Sequence, residues 1–319
     1  METLSRRYIW IFFGVLLAVM IGAYLLNTLY APILKKPIPG PEEQVSSYSV
    51  VKDTFGVTIL ETGLPVHVDD QYIDENNVQY IVIKVDGQNA VADIVTRTDG
   101  DKFPANNNAA VTPSPALFNP VLPVQAVTAP RHAVVYHTHT DESYRPTSGK
   151  TSQPGAGDIY TVGAALADSL RKSGISVTHS VNAHDPHDRN AYHRSRRTAA
   201  QLLKEQPDAA FDIHRDSAPA SAYLTTINGV DSSRVMIVVG RSNPNTKTNL
   251  VYARRIKAQA DQLYPGLIRG IFMGKGDYNQ DLYPTAMLFE IGTDSIPLAL
   301  AENAARCLGD VILQVFNQG

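Results

Sequence analysis

The sequence is poor in the residues that would cross-link the chain or draw it to nucleic acid. It has one cysteine among 319 residues, Cys307, so no disulfide can form within the chain. The formal net charge is -3, and no basic stripe is interleaved with aromatic residues, so we expect no nucleic-acid partner. No internal repeat indicates a solenoid. The length instead predicts two folded units joined by a linker.

One long apolar run lies near the N-terminus. Residues 8–30, YIWIFFGVLLAVMIGAYLLNTLY, carry no charged side chain. As a helix rising about 1.5 Å per residue, this run spans roughly 34 Å, enough for a hydrocarbon core of about 30 Å. A cleaved signal peptide has a shorter apolar core and a small-x-small cleavage site, and neither fits. We therefore predict a single-pass anchor in the cytoplasmic membrane of the cell.

The flanking charges barely decide the orientation of this anchor, since Arg6 and Arg7 precede it while Lys35 and Lys36 follow it. We expect residues 1–7 to be a cytoplasmic tail, because that places the large remainder, including the C-terminal domain, in an extracytoplasmic location. Residues 31–45 are proline-rich and polar, which is typical of a short stiff spacer.

The rest of the chain divides by pattern. Residues 46–99 alternate in short β-like runs, among them LPVHV and QYIVIKV, which predicts a small β-rich accessory domain. Residues 100–130 are rich in Pro, Asn, Ala and Thr without periodicity, which indicates a linker. From 131 to 319, strand-like and helix-like runs alternate. This order predicts an α/β fold of three layers, with a mainly parallel sheet and helices on both faces.

Four residues follow apolar, strand-like runs of this last region. The run AVVYHTH ends at His139, Glu142 follows one tight turn later, FDIH ends at His214, and AMLFE ends at Glu290. Strand ends of an α/β sheet converge on one crevice. Zn²⁺ prefers histidine nitrogen and carboxylate oxygen, and a catalytic zinc site keeps one position open. We predict that His139, Glu142 and His214 bind zinc.

The predicted chemistry follows from this donor set. Zinc lowers the pKa of a water to about 7 and polarises a carbonyl group, and Glu290 would serve as the general base. The reaction class is amide hydrolysis. Each residue alone has a plain alternative: Glu142 could be a surface carboxylate, and His214 a structural histidine.

Three further residues lie close to these positions in sequence. His137 shares strand parity with His139, so we expect it to face the same crevice as an outer contact of the metal site or of the substrate. Arg215 could bind a substrate carboxylate or an oxyanion, with Asp216 beside it, or the two could form a structural ion pair.

A second group of histidines, His184, His187 and His193, lies in the polar segment VNAHDPHDRNAYHRSRR. It resembles a second metal cluster. We interpret it as a solvated loop that leads into a helix.

Four strings, in this order and spacing, resemble the stage II sporulation protein P family of cell-wall hydrolases: VVYHTHTDESY, AYHRSRRTAAQLL, FDIHRDS and GDYNQDLYPTAMLFEIGTDS. The resemblance implies a zinc-dependent N-acetylmuramoyl-L-alanine amidase acting on peptidoglycan. It also implies His139, Glu142 and His214 as zinc ligands and Glu290 as the catalytic glutamate. A partner similar to stage II sporulation protein D, a lytic transglycosylase, is implied as well. Alternatives are an endopeptidase that cuts stem cross-links and a non-catalytic wall-binding or activator module.

Overall fold

The computed structural model of the protein describes residues 48–95, 131–188 and 190–318. The predicted tail, anchor and spacer, at residues 1–45, and the predicted linker, at residues 100–130, lie outside these ranges. Within the described ranges, no helix has both the length and the hydropathy needed to cross a bilayer. The anchor at residues 8–30 therefore stays a prediction.

The described chain contains thirteen strands and five α-helices. The strands are β1 (Ser49–Asp53), β2 (Thr58–Thr62), β3 (Gln71–Asp74), β4 (Gln79–Asp86), β5 (Asn89–Ile94), β6 (His132–Tyr136), β7 (Ser176–His179), β8 (Ala209–Asp216), β9 (Leu224–Ile227), β10 (Val230–Ser233), β11 (Val235–Gly240), β12 (Ile268–Gly274) and β13 (Ala286–Thr293). The helices are α1 (Arg145–Ser148), α2 (Ile159–Lys172), α3 (Ala191–Leu202), α4 (Thr246–Leu263) and α5 (Leu298–Asn317).

One sheet of eleven strands organises the molecule, in the order β2-β1-β5-β4-β3-β12-β11-β13-β8-β6-β7. Strands β7, β6, β8 and β13 are mutually parallel, so the predicted α/β class and its parallel run are confirmed. Strand β11 runs antiparallel to β13, and β12 follows the direction of β11. The sheet is therefore mixed. The chain passes from β8 to β11 through the β9–β10 hairpin, without the helical crossover that a parallel connection requires.

Helices cover both faces of the sheet, as predicted. The larger core lies on one face, where Leu166 of α2, Ile256 of α4 and Leu308 of α5 pack with Ile213 and Phe289 of the sheet. Helix α2 ends shortly before Gly174, which adopts a left-handed backbone with φ +84°.

Helix α3 covers part of the opposite face. Its Ala199 and Leu202 pack on Val134, Tyr136 and Ala210. This second face carries the candidate site described below.

Strands β1–β5 continue the same sheet. Strand β3 pairs antiparallel with β12 and covers an edge that would otherwise expose unpaired backbone groups. Val51, Leu60 and Tyr72 share one core cluster with Met236 and Leu288. In the described residues, the expected accessory domain and the expected catalytic domain therefore share one sheet and one core, and the described parts of this region form one compact unit. The domain limits 46–99, 100–130 and 131–319 themselves stay predictions.

Two local expectations are wrong. The run LPVHV at residues 64–68 is not a strand, because Pro65 lacks a backbone donor and the His67 amide donates to Asp70 Oδ2 instead (2.7 Å). Strand β3 and the β9–β10 hairpin are short and were missed, since four-residue runs show too little alternation to be recognised.

Candidate metal centre

Two parts of the fold bring the three predicted ligands together. His139 and Glu142 lie in the loop after β6, and His214 lies in β8, next to β6 in the sheet. Strand β8 runs two residues beyond His214, so this histidine lies inside the strand and not at its end. Among the described residues, His139, Glu142 and His214 form a group whose potential ligand atoms all lie within 4.8 Å of one another.

The spacing within this group suits one divalent ion. Glu142 Oε1 lies 3.4 Å from His139 Nδ1 and 3.6 Å from His214 Nδ1. Ligand atoms at about 2.1 Å from one tetrahedral zinc ion are about 3.4 Å apart. Two imidazole nitrogens and one carboxylate oxygen are also the donor types of catalytic zinc sites. The residues present therefore fit a zinc ion.

Charge at the centre is concentrated on a buried histidine between carboxylates. Burial alone would lower the pKa of His214, but the carboxylates of Asp212 and Glu142 outweigh it and hold the pKa well above its ordinary value. Burial would raise the pKa of Glu142, but His214 and His139 outweigh that effect and hold it well below its usual range. The carboxylates of Asp212 and Glu142 are thus stabilised by a positive charge between them. A divalent cation that displaced the proton of His214 would supply this charge.

Glu290 lies beside His214. The two residues are register partners in the parallel strands β13 and β8, so their side chains leave the same face of the sheet. Burial raises the pKa of Glu290 well above its usual value, and the carboxylates of Asp216 and Glu142 raise it further. Its buried Oε2 has no hydrogen-bond partner in the described protein. An unpartnered carboxyl oxygen beside the three-residue group is free for a ligand or a water.

Asp212 is a member of this site that the sequence analysis missed. It lies two residues before His214 on the same face of β8, and its Oδ1 is 3.0 Å from His214 Nε2. The Thr138 backbone N–H and hydroxyl both donate to this carboxylate, at 2.8 and 2.5 Å. Carboxylates in this position orient a metal-binding histidine and fix its tautomer. The sequence signal that could have found it is an acidic residue within a strand-like run, two positions before His214 and therefore on the same face of the strand.

Arg215 contacts the loop that carries Glu142 through both its backbone and its side chain. Its N–H donates to Glu142 Oε2 at 3.0 Å and so holds the carboxylate whose other oxygen faces the two histidines. Its guanidinium donates to the carbonyl oxygens of Thr151 (2.7 Å) and Ser143 (3.3 Å). Neither expected role, a substrate clamp or an ion pair with the Asp216 carboxylate, accounts for these contacts. Arg215 instead fastens the loop that carries Glu142.

Asp216 connects the site to the N-terminal strands. Its Oδ1 accepts from the Gly63 amide (2.6 Å) and the Thr62 hydroxyl (3.1 Å), and its Oδ2 accepts from the Tyr223 hydroxyl (2.8 Å). The side chain is buried and does not join the three-residue group. This aspartate therefore joins β2 to the end of β8, two residues from His214.

His137 does not face the crevice, contrary to expectation. His137 continues the alternation of β6 and follows Val135 onto the α2 face, whereas the loop after Tyr136 turns His139 to the other face, where it meets His214. The buried His137 ring places Nδ1 3.0 Å from the Ile213 carbonyl oxygen and Nε2 2.8 Å from His179 Nε2. It packs against Gly163 of α2, on the face opposite the metal centre.

Burial, with the neighbouring His179, lowers the pKa of His137 to about 3 from 6.5, which predicts acid sensitivity. Between these values the unfolded chain binds the proton and the folded chain does not, so the free energy of unfolding falls as the pH drops from about 6.5 towards 3. We expect a loss of roughly 5 kcal/mol from this residue at most. Denaturant unfolding in the presence of a chelator should show a shallower pH slope for His137→Asn, which keeps a donor for the Ile213 carbonyl. An unchanged slope would contradict the prediction.

Of the three histidines of the polar segment that leads into α3, only His184 departs from the expected solvated position. His184 is buried, with Nδ1 2.6 Å from the His137 carbonyl oxygen and Nε2 2.8 Å from the Thr198 hydroxyl. His187 stacks on the His139 ring, with centroids 3.8 Å apart. His187 and His193 are both exposed, as expected. No second metal group forms from them in the described residues.

Known proteins resemble this chain over most of its described length. A family model, Stage II sporulation protein P, matches residues 62–313. The chain belongs to this family. The protein named stage II sporulation protein P in Bacillus subtilis strain 168 is 30% identical over 203 residues, which cover 57% of this chain and 50% of that protein. The chain thus spans about half the length of this curated relative.

Solved amidase structures are more distant from this member of the stage II sporulation protein P family. The CwlD amidase of Clostridioides difficile, solved in complex with the GerS lipoprotein, is 12% identical with a TM-score of 0.41, covering 59% of this chain and 100% of that one. The N-acetylmuramyl-L-alanine amidase Ami1 of Mycobacterium smegmatis is 13% identical with a TM-score of 0.37, covering 59% and 95%. Scores this low carry no inference about the activity of this chain.

Proposed function

We propose that this protein is a zinc-dependent N-acetylmuramoyl-L-alanine amidase that cuts the amide bond between muramic acid and L-alanine in peptidoglycan. The observation that carries the proposal is the meeting of His139, Glu142 and His214 beside the unpartnered carboxyl group of Glu290. Membership of the stage II sporulation protein P family supports the same assignment.

In this proposal His139 Nδ1, His214 Nδ1 and a Glu142 oxygen hold the zinc ion. When bound, the ion supplies Lewis-acid polarisation of the scissile carbonyl and lowers the pKa of water. The Asp212 carboxylate lies at ion-pair distance from His214 Nε2 (3.0 Å), without the geometry of a hydrogen bond, and the Arg215 amide donates to the second oxygen of Glu142. These two outer contacts leave both ligands little freedom to turn away from the site.

Glu290 moves the proton. Its carboxylate takes a proton from the attacking water as the new C–O bond forms, and passes it to the leaving amine nitrogen as the C–N bond breaks. Its raised pKa suits this exchange, because a base whose conjugate acid is too strong would not return the proton. Added positive charge at the neighbouring cluster would bring this pKa back down towards the working range.

The position in the cell is also part of the proposal. Residues 8–30 would anchor the chain in the cytoplasmic membrane and hold the catalytic region on the outer side, where peptidoglycan lies. A lytic transglycosylase similar to stage II sporulation protein D is the proposed protein partner. A muramyl–peptide amide and a glycosidic bond lie on the same polymer, so the two activities would act on one substrate.

Digestion of purified sacculi by the purified full chain tests this function. We expect a cleared zone in a zymogram, loss of clearing with a chelator and recovery on adding zinc. Mass spectrometry of the products should show glycan without stems and free peptides that begin with L-alanine. Stems that stay on the sugar but lose their cross-links would identify an endopeptidase instead. Binding without any cleavage would identify a non-catalytic module, and chelator-insensitive release would exclude the metal mechanism.

A further inference from the structure

The two histidines of the candidate centre are oriented in different ways. His214 has the Asp212 carboxylate 3.0 Å from its second ring nitrogen, the usual device for fixing a metal ligand. In the described residues, His139 has no comparable carboxylate or carbonyl at its second nitrogen. Its side chain is also more exposed, 17% against 2% for His214. Something else must fix the plane of the His139 ring.

Aromatic rings surround His139 on several sides. The His187 ring lies over it, with centroids 3.8 Å apart and planes 21° from parallel. Tyr192 of α3 meets it edge-on at 5.5 Å, and the His214 ring meets it edge-on at 4.9 Å. Of these contacts, only the His187 stack covers a whole face of the ring. Face-to-face packing at this distance resists the tilting and turning of a ring more than an edge contact does.

The His187 ring is itself held. Its Nδ1 lies 3.0 Å from Oδ1 of Asp141, a buried carboxylate whose Oδ2 accepts from the Ser152 hydroxyl at 2.5 Å. Asp141 directly precedes the ligand Glu142 in the chain. The histidine that covers one ligand is thus tied to the loop that carries both His139 and Glu142.

The segment around His187 is fastened to two other parts of the fold, helix α3 and the loop at Gly155. Arg194 of α3 donates through Nε to the His184 carbonyl (2.6 Å) and through a terminal nitrogen to Asp188 Oδ1 (2.7 Å). The Gly155 amide donates to Asp185 Oδ2 at 2.6 Å. These contacts place His187 at a fixed position on an otherwise polar rim.

We propose that His187 is a positioning residue for the metal centre: its ring, held by Asp141, stacks on His139 and keeps His139 Nδ1 directed at Glu142 and the ion. The inference rests on the proposed zinc site. It assigns no ligand role to His187, whose Nδ1 is occupied by Asp141 and which is not part of the three-residue group. It also assigns no substrate contact, although the side chain is 42% exposed.

The test measures zinc affinity, not turnover, in the full chain by competition with a chromophoric chelator. His187→Ala removes the stack, and we expect the dissociation constant to rise by roughly 10-fold or more, the usual size of an outer-shell effect. His187→Phe restores a flat ring without a metal-binding nitrogen, and we expect it to recover most of the affinity. His193→Ala removes an exposed histidine of the neighbouring helix and should match the parent chain.

A second readout reports on ligand geometry. The visible spectrum of the Co²⁺-loaded chain should be the same for the parent and His187→Phe and altered for His187→Ala. Thermal unfolding with chelator present should be similar for all variants, because His187 is partly exposed and lies outside the cores.

Each contrary result has its own meaning. Unchanged zinc affinity in His187→Ala together with lost hydrolysis would make His187 a substrate contact and overturn the positioning role. Equal weakening in His187→Ala and His187→Phe would show that an imidazole nitrogen, not the stack, is needed, and would overturn it too. A parent chain that binds no zinc would overturn both this inference and the proposed function, whereas a zinc-binding parent with normal His187→Ala affinity would overturn this inference alone.

Discussion

Glu290→Gln is expected to reduce the rate of peptidoglycan hydrolysis by a hundred- to ten-thousand-fold, the contribution of a positioned general base. The amide has nearly the same shape but cannot accept and return the proton. Because Glu290 is not among the three expected ligands, zinc affinity and binding to sacculi should stay close to those of the parent. Release of soluble products, zinc content and co-sedimentation with sacculi measure the three quantities.

The same substitution should stabilise the metal-free fold at neutral pH. The folded chain holds the pKa of Glu290 above its unfolded value, so folding takes up a proton. The free energy of unfolding therefore falls as the pH rises through about 4.5 and beyond. Glutamine removes this cost. The expected combination is therefore lost activity with an equal or higher unfolding temperature. Glu302→Gln, at a partly exposed position of α5, is the matched control and should change neither. Unchanged hydrolysis in Glu290→Gln would remove the general-base assignment.

His214→Ala is expected to weaken zinc binding by at least about a hundredfold and to abolish hydrolysis. Outer-shell partners alone carry 10- to 100-fold in affinity, and His214 would be a direct ligand with both ring nitrogens engaged by carboxylates. The variant also leaves Asp212 and Glu142 buried without their positive partner. Equilibrium competition with a chelator, at zinc concentrations that saturate the parent chain, measures the loss.

Two further variants serve as comparisons for His214→Ala. Asp212→Asn keeps His214 but exchanges the carboxylate behind it for an amide, so its zinc affinity should fall between those of the parent and His214→Ala. His67→Ala, a half-exposed histidine before β3, should leave the affinity unchanged. Full zinc binding by His214→Ala would contradict the assigned ligand set, whatever the activity of the chain.

Much of the fold is visible in the sequence because its elements are long and regularly patterned. The apolar spacing of Ile159, Val162, Leu166 and Leu170 predicts α2, and these residues are fully buried. The continuous apolar runs that became β8 and β13 predict central strands covered on both faces. Prediction fails where pairing partners are distant. The direction of β11 depends on how the chain returns through a short hairpin, and the junction of β3 with β12 joins segments almost 200 residues apart.

Side-chain positions, too, were predicted better where a local pattern sets them than where distant segments meet. His214 and Glu290 leave the same face of the sheet side by side because both lie in extended strands, where alternation is strict. His137 was misplaced because it keeps the parity of β6 while His139, two residues later in the loop, does not, so the two histidines face opposite sides of the sheet. The role of Asp216 at the site stays a prediction, but its carboxylate also accepts hydrogen bonds from Thr62 and Gly63, residues about 150 positions earlier. No local pattern could indicate that contact.

The sequence by itself determined which chemistry is available. It supplies two histidines, two glutamates and the strands and helices that carry them, because residue type and local periodicity are properties of the chain. Only the tertiary structure decided which of the nine histidines meet, that Asp212 holds His214 and that His187 covers His139. The reason is physical. Contacts between loops depend on how sheet edges and helices pack over long distances in sequence, and small differences in free energy there choose among arrangements that the local pattern leaves equal.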